Sequence, residues 1–152
     1  MREGDRCAIV PPVYFLAALA LMAFFHWVVP FWQILLAPYR YAGFILMGGA
    51  VAVVLWAALH FRRAGTAIRP FEPSSALVTG GPYRYTRNPM YLGMAGTLLG
   101  VAVLMGSITP FLVIPAFARL LQERFILDEE AMMERTFGQA YVDYKARVRR
   151  WL

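Results

Sequence analysis

The chain has 152 residues, of which 60% are hydrophobic and only 16% are charged, and its formal net charge is +6. A soluble domain is closer to half apolar and a quarter charged, so this composition excludes an ordinary soluble protein and indicates a membrane protein. We assign the positive charge to contacts with anionic lipid headgroups and expect no nucleic-acid partner. The single cysteine excludes internal disulfides, and with only two separated histidines we expect no metal site.

The first apolar stretch, Cys7–Tyr39, predicts a membrane helix that begins at Pro11 and ends near Val29, because proline suits a first helical turn. Arg2 and Arg6 precede this stretch, and basic residues before an apolar run also begin a signal peptide. However, the stretch is too long for a signal peptide's short apolar region, and no clear small-residue cleavage site closes it. We therefore interpret it as a retained membrane helix.

The second and third apolar stretches predict three further membrane helices. Ala42–Phe61 fits one span of about 20 residues. Asn88–Ala118 is too long for one helix and short for two, and a turn sequence, 106–110, lies near its middle. This pattern predicts a tight helical hairpin with arms at about Met90–Met105 and Phe111–Arg124, and four membrane helices in total.

The basic residues lie almost entirely on one side of this predicted topology. They occur in the N-terminal tail, in the loop 62–89 and in the region from Arg119 onward, whereas Arg40 alone falls on the opposite side. Short loops rich in Lys and Arg remain in the cytoplasm. We therefore expect a multi-pass integral membrane protein with both termini and the loop 62–89 in the cytoplasm.

A periodic stripe of apolar residues follows the last predicted span. It consists of Phe137, Tyr141, Tyr144, Val148 and Trp151. Steps of three and four residues are typical of one face of an amphipathic helix, which either lies on the membrane surface or covers a cytosolic pocket. The predicted fold is therefore an all-α integral membrane protein with about four transmembrane helices, the last two a hairpin, and a cytosolic C-terminal amphipathic helix.

The segment GPYRYTRNPMYLG, residues 81–93, places polar and aromatic side chains where a membrane helix begins. Asn is a preferred N-cap and Pro a preferred first helical residue, so Asn88 and Pro89 predict a helix start. The simplest interpretation is a start signal and nothing more. Yet Arg84 and Arg87 lie close to that helix N-terminus, whose free N–H groups favour anions. Together these features predict a site for a carboxylate or phosphate.

A second polar cluster, Asp128-Glu129-Glu130, precedes Phe137-Gly138. It is either a solvated acidic patch or part of a site. Adjacent helical residues point about 100° apart, so at most one of Glu129 and Glu130 faces a given pocket, and the other is free to hold an arginine.

Three glycines, Gly93, Gly96 and Gly100, lie within the third predicted helix. No strand precedes them, so they do not form a dinucleotide-binding fingerprint. The spacing of Gly96 and Gly100 instead predicts a face for close helix packing.

Together, the segment 81–93 and the later run from Glu129-Glu130 through Phe137-Gly138 to Tyr141 and Tyr144 resemble the membrane-embedded methyltransferases. These are the isoprenylcysteine carboxyl methyltransferases and the related phospholipid N-methyltransferases. The resemblance covers about residues 70–150, which would form the methyltransferase core of a single membrane domain, 1–152, behind two N-terminal transmembrane helices in 1–62.

The resemblance implies a cofactor, S-adenosyl-L-methionine, bound at the cytosolic side, and a lipophilic acceptor that enters from the bilayer. It assigns cofactor binding to seven residues: Gly81, Tyr83, Asn88, Pro89, Tyr91, Glu129 and Glu130. The carboxyl methyltransferases usually have His where this chain has Asn88, and the sequence NPMY is closer to the phosphatidylethanolamine methyltransferases. The acceptor is therefore an isoprenylcysteine-like carboxylate or, alternatively, a phospholipid amine.

Two residues are assigned catalytic roles as hypotheses. Methyl transfer depends on the positioning of two substrates more than on acid–base catalysis, so we expect Arg87 to orient a carboxylate or polar group, with Glu130 opposite it. For an amine acceptor, Glu129 or Glu130 is the candidate base. Two other functions remain open: an NADPH-dependent enzyme resembling the steroid reductases, which the acidic pair disfavours, and a membrane scaffold without catalytic activity. The sequence does not indicate an oligomeric state.

Overall fold

The computed structural model describes residues 10–29, 32–65 and 76–152. The regular structure in these residues is helical. The described residues form six α-helices, in chain order α1 Pro11–Val28, α2 Ala42–Arg63, α3 Pro89–Met105, α4 Val113–Leu121, α5 Leu127–Phe137 and α6 Gln139–Arg147. The predicted cytoplasmic residues Arg2, Arg6 and Arg69 lie outside the described residues.

Helix α1 and the helical segment Tyr39–Arg63, which includes α2, are long and apolar enough to cross a membrane, whereas α3 is apolar but shorter. Both long helices turn large apolar side chains outward; Leu16 is 62% exposed and Ile45 is 78% exposed. An apolar outer surface of this kind is stable in lipid and not in water. The prediction of a membrane protein is therefore supported, while the predicted count of four spans is not confirmed.

Helices α2 and α3 pack together more extensively than any other pair, through their small residues. A Cβ atom added at Gly100 would lie 2.5 Å from Met47 Cγ and 2.8 Å from the Gly43 carbonyl oxygen. One added at Gly96 would lie 3.1 Å from Ala50 Cβ. The two backbones approach this closely because glycine has no side chain, which confirms the predicted packing face.

The turn between α3 and α4 agrees with the predicted hairpin. Gly106 ends α3 with a φ of 74°, a conformation that favours glycine, and a 3₁₀ turn, Thr109–Leu112, leads into α4. Helix α1 packs against this turn, where the buried Ser107 hydroxyl lies 2.7 Å from His26 Nδ1. The core of the bundle thus lies among α1, α3 and α4.

The chain after α4 differs from the prediction in two ways. The fourth helix was expected to end near Arg124, but a π-helical turn, Gln122–Ile126, joins α4 to α5 without a break. The predicted stripe from Phe137 to Trp151 was wrong as one continuous helix, because Gly138 separates α5 from α6 with a φ of 53° and Val148 is extended. The last residues consequently turn back across the start of α3.

Candidate active site

The site is built where the segment before α3 meets α5, α6 and the C-terminal residues 148–152, which we call the C-terminal tail. Gly81 opens a 3₁₀ turn, Gly81–Arg84, with a φ of 59°. A Cβ atom there would overlap the ring of His60 in α2. Glycine at this position therefore lets the segment pack directly on α2, which positions the residues that follow.

Asn88 occupies the N-cap position of α3, but its side chain does not cap the helix. Its Nδ2 instead donates a hydrogen bond of 3.1 Å to the Arg150 carbonyl oxygen, and the Thr86 hydroxyl donates to the same oxygen at 3.0 Å. The prediction that Asn88 caps α3 was wrong, because the hydrogen bond from its Nδ2 orients the side chain towards the tail carbonyl. Helix α3 still begins at Pro89, as predicted.

Arg87, Glu130 and Arg150 form a largely buried charge cluster. Arg150 binds the Glu130 carboxylate with two hydrogen bonds, both 2.9 Å long, from Nε to Oε1 and from Nη2 to Oε2. Arg87 Nη1 lies 3.2 Å from Oε1, and the Arg87 side chain is only 11% exposed. The cluster contains two cations and one anion and so carries an excess positive charge.

Arg87 is incompletely satisfied in this cluster, although its guanidinium also interacts with the Tyr141 hydroxyl. Within the described part of the chain, its Nε and Nη1 atoms are buried without a hydrogen-bond acceptor, although Nη1 is close to Glu130. Buried donors of a charged group without an acceptor are rare and costly. The Arg87 guanidinium therefore fits an anionic ligand group such as a carboxylate.

Glu129 points away from this cluster and contacts α3. The Tyr91 hydroxyl donates a hydrogen bond of 2.6 Å to Glu129 Oε1. Burial raises the pKa of Glu129 to about 7, even though the Tyr91 hydrogen bond favours the ionised form and partly offsets this effect. The two adjacent glutamates thus face different partners, as predicted, and Glu129 titrates near neutral pH.

Three tyrosines hold the elements around the site together. The Tyr144 hydroxyl donates a hydrogen bond of 2.7 Å to the Tyr83 carbonyl oxygen, and the Tyr83 ring lies 5.1 Å from the ring of Phe61. Burial raises the pKa of the Tyr83 and Tyr144 phenols and that of Tyr141 to about 12. All three are therefore neutral at physiological pH.

The structure brings together Arg87, Asn88, Tyr91 and the two glutamates but leaves other candidates outside. Arg84 is exposed, so the predicted pair of arginines at the α3 start is reduced to Arg87. Arg150 was not identified from the sequence, because nothing in the local pattern of the tail shows which of its arginines contacts Glu130. In the described residues, no group of His, Cys, Asp and Glu is placed to hold a metal ion.

An apolar groove of about 190 Å³ lies between α1 and α4. It is lined by Tyr14, Ala17, Ala18, Leu21, Val113, Ala116, Phe117 and Leu120. At one end, the Tyr14 ring packs edge-on against Phe125 at 5.5 Å, and the Phe125 ring lies 6.5 Å from Tyr91. Ring contacts therefore connect the groove with the residue that binds Glu129.

Residues 39–140 match the family model of the phospholipid methyltransferases. No curated protein and no solved structure matches the chain at a significant level. The match covers more than half of the chain and includes Arg87, Tyr91 and both glutamates, whereas α1 and Arg150 lie outside it. The chain therefore belongs to the phospholipid methyltransferase family.

Proposed function

We propose that the protein transfers a methyl group from S-adenosylmethionine to a lipophilic acceptor that remains in the membrane. The observation that carries this proposal is the buried Arg87 guanidinium, whose Nε and Nη1 atoms have no acceptor in hydrogen-bond geometry. It lies at the start of α3, beside Glu130, in a chain of the phospholipid methyltransferase family. On the topology predicted from the charges, the site opens to the cytosol, which a charged cofactor requires.

The cofactor's polar groups match the residues around the α3 start. Arg87 would bind the carboxylate, supported by first-turn N–H groups that have no side-chain cap. Glu130, held by Arg150, would lie beside it, and Gly81, Tyr83, Asn88 and Pro89 would line the remaining surface. When bound, S-adenosylmethionine supplies a methyl group on a positively charged sulfur. The role of the protein is to orient the acceptor against that methyl group and exclude water.

The groove between α1 and α4 supports a lipophilic acceptor. Its lining is almost entirely apolar, and α1 beside it turns large apolar side chains outward. A hydrocarbon chain in this groove would place the acceptor's polar end near Tyr14 and Phe125, next to Tyr91 and Glu129. We therefore place the acceptor's chain between α1 and α4.

Glu129 supports an amine as the acceptor group. An ammonium must lose a proton before its nitrogen lone pair can attack carbon, and a carboxylate with a pKa of about 7 accepts that proton near neutral pH. The deprotonated nitrogen would then accept the methyl group that the bound cofactor supplies, and the electron pair of the broken bond would remain on the sulfur. The proton remains on Glu129 until it exchanges with solvent.

An isoprenylcysteine-like carboxylate is the second candidate acceptor. The excess positive charge of the cluster formed by Arg87, Glu130 and Arg150 favours it, because a carboxylate acceptor needs a cation for orientation and no base. In that case Arg87 would bind the acceptor, and turnover would not depend on ionisation of Glu129.

Binding and labelling experiments test the proposed function. Calorimetry on the detergent-purified protein should show binding of S-adenosylmethionine and none of NADPH. The opposite result would refute the proposal in favour of a reductase, and binding of neither would favour a scaffold. Membranes incubated with methyl-labelled cofactor should then incorporate label into the lipid fraction. Base-resistant label indicates N-methylation, whereas base-labile label indicates a methyl ester.

A further inference from the structure

The bidentate contact between Arg150 and Glu130 affects what Arg87 can bind. We propose that Arg150 is a positioning residue, which holds Glu130 so that Arg87 remains available to the cofactor's carboxylate. This inference rests on the proposed function, since it assigns a residue to the same site. Arg150 lies outside the residues that match the family model.

The geometry of the cluster supports this role. Arg150 engages both oxygens of Glu130 at 2.9 Å, as expected for a planar guanidinium facing a carboxylate. Arg87 reaches only Oε1, at 3.2 Å and outside hydrogen-bond geometry. The carboxylate is therefore oriented towards Arg150, and the Nε and Nη1 atoms of Arg87 have no acceptor in hydrogen-bond geometry.

Loss of the Arg150 guanidinium would change the partner of Glu130. A buried carboxylate needs charged or polar partners, and Arg87 is already within 3.2 Å. Glu130 would rotate to form the bidentate pair with Arg87 instead. That pair would occupy the donors that the cofactor's carboxylate requires, and the net charge of the cluster would fall from +1 to zero.

Several contacts that do not involve the Arg150 side chain also hold the tail. The Arg87 backbone N–H donates to the Arg149 carbonyl oxygen at 2.9 Å, and Thr86 and Asn88 donate to the Arg150 carbonyl oxygen. Trp151 Nε1 also donates to Gln122 Oε1 at 3.1 Å. Substitution of the Arg150 side chain should therefore leave the tail in place.

The test compares two ligands that differ in the group concerned. S-Adenosylhomocysteine retains the amino-acid carboxylate, whereas 5′-methylthioadenosine lacks the amino-acid group. In the full-length protein in detergent, Arg150→Gln should weaken S-adenosylhomocysteine binding about tenfold or more, the equivalent of about 1.4 kcal/mol, and leave 5′-methylthioadenosine binding unchanged. Arg150→Lys should recover part of the affinity, because it restores the charge without the bidentate geometry.

Two control variants separate positioning from folding. Arg149→Gln changes the neighbouring exposed arginine, and Trp151→Phe removes a hydrogen bond of the tail without changing its charge. Neither variant should weaken the binding of S-adenosylhomocysteine relative to that of 5′-methylthioadenosine. Equal weakening of both ligands by Arg150→Gln, or no weakening, would overturn the role of Arg150 alone. Failure of the unsubstituted protein to bind S-adenosylhomocysteine would overturn the proposed function as well.

Discussion

The Tyr91 hydroxyl lies 2.6 Å from Glu129 Oε1 and joins the first turn of α3 to the first turn of α5. This contact places a carboxylate with a pKa of about 7 next to the aromatic side chains that lead to the apolar groove. Because the carboxylate is half protonated near neutral pH, its ionisation state can be tested directly through the pH dependence of turnover.

If the acceptor is an amine, turnover should rise with pH through about 7, because only ionised Glu129 accepts a proton. Glu129→Gln should lower turnover by about 100-fold or more, within the usual contribution of a general base, while S-adenosylhomocysteine still binds. The measurement is the initial rate of methyl transfer between pH 5.5 and 8.5. A rate independent of pH in this interval would exclude Glu129 as the base.

Tyr91→Phe should move this pH profile to higher pH. The tyrosine hydroxyl stabilises the ionised carboxylate and so lowers its pKa; without the hydroxyl, burial acts unopposed and the pKa rises. The midpoint of the pH–rate profile should therefore increase, with little change in the rate at high pH. A midpoint that decreases would contradict the assignment of the titrating group to Glu129.

Ionisation of Glu129 should also lower the stability of the folded protein. Stability should therefore fall with pH over the range in which turnover rises. The folded-state pKa of about 7 exceeds the ordinary value of 4.5, so between these values the folded protein binds more protons than the unfolded chain. Stability should consequently fall as pH rises from about 4.5 to 7, at about 1.4 kcal/mol per unit of pKa difference. Glu129→Gln should melt at a higher temperature than the unsubstituted protein at pH 8. At pH 4, the two melting temperatures should agree.

Sequence patterns predicted the parts of this fold that depend on local chemistry. Pro11 and Pro89 begin helices because proline suits the first helical turn. Gly96 and Gly100 pack against α2 because their spacing places them on one helical face. The family resemblance was also confirmed. It could be recognised because each of its motifs is a continuous stretch of sequence.

The remaining features depend on contacts between distant residues. Arg150 meets Glu130 across 20 positions of sequence, and this contact requires the break at Gly138, which the periodicity of the tyrosines conceals. Asn88 binds the tail carbonyl instead of capping α3, a choice that depends on the position of the tail. Such preferences are decided by tertiary structure and leave no local signal.

Arg87→Ala should reduce S-adenosylhomocysteine affinity by at least tenfold and abolish measurable turnover, because it removes the guanidinium donors proposed to bind the ligand's carboxylate. The variant should still fold, since Glu130 keeps its bidentate partner Arg150. It should therefore remain in the membrane fraction. Arg84→Ala is the matched control, because Arg84 is exposed on the same segment. Full activity of Arg87→Ala would refute its role.

Filling the groove between α1 and α4 should impair acceptor use without affecting the cofactor. Ala116 lines the groove, and Ala116→Phe would occupy part of its volume of about 190 Å³. The KM for the lipid acceptor should rise several-fold, whereas S-adenosylhomocysteine binding should not change. Ala52→Phe is the control, because it places the same bulky side chain at an exposed alanine of α2. An equal effect of both variants on KM would argue against an acceptor chain in this groove.

Gly100→Ala should destabilise the contact between α2 and α3. The added Cβ atom would lie 2.5 Å from Met47 Cγ and 2.8 Å from the Gly43 carbonyl oxygen, and one of these contacts is with backbone, which cannot move aside as a flexible side chain does. Overpacking of this kind costs about 1–3 kcal/mol. Gly48→Ala introduces the same methyl group within α2, where nothing lies within 4 Å, so it should be neutral or slightly stabilising. Thermal unfolding in detergent should therefore show a lower melting temperature for Gly100→Ala than for Gly48→Ala. Equal melting temperatures would mean that α2 and α3 can move apart at Gly100 without loss of stability.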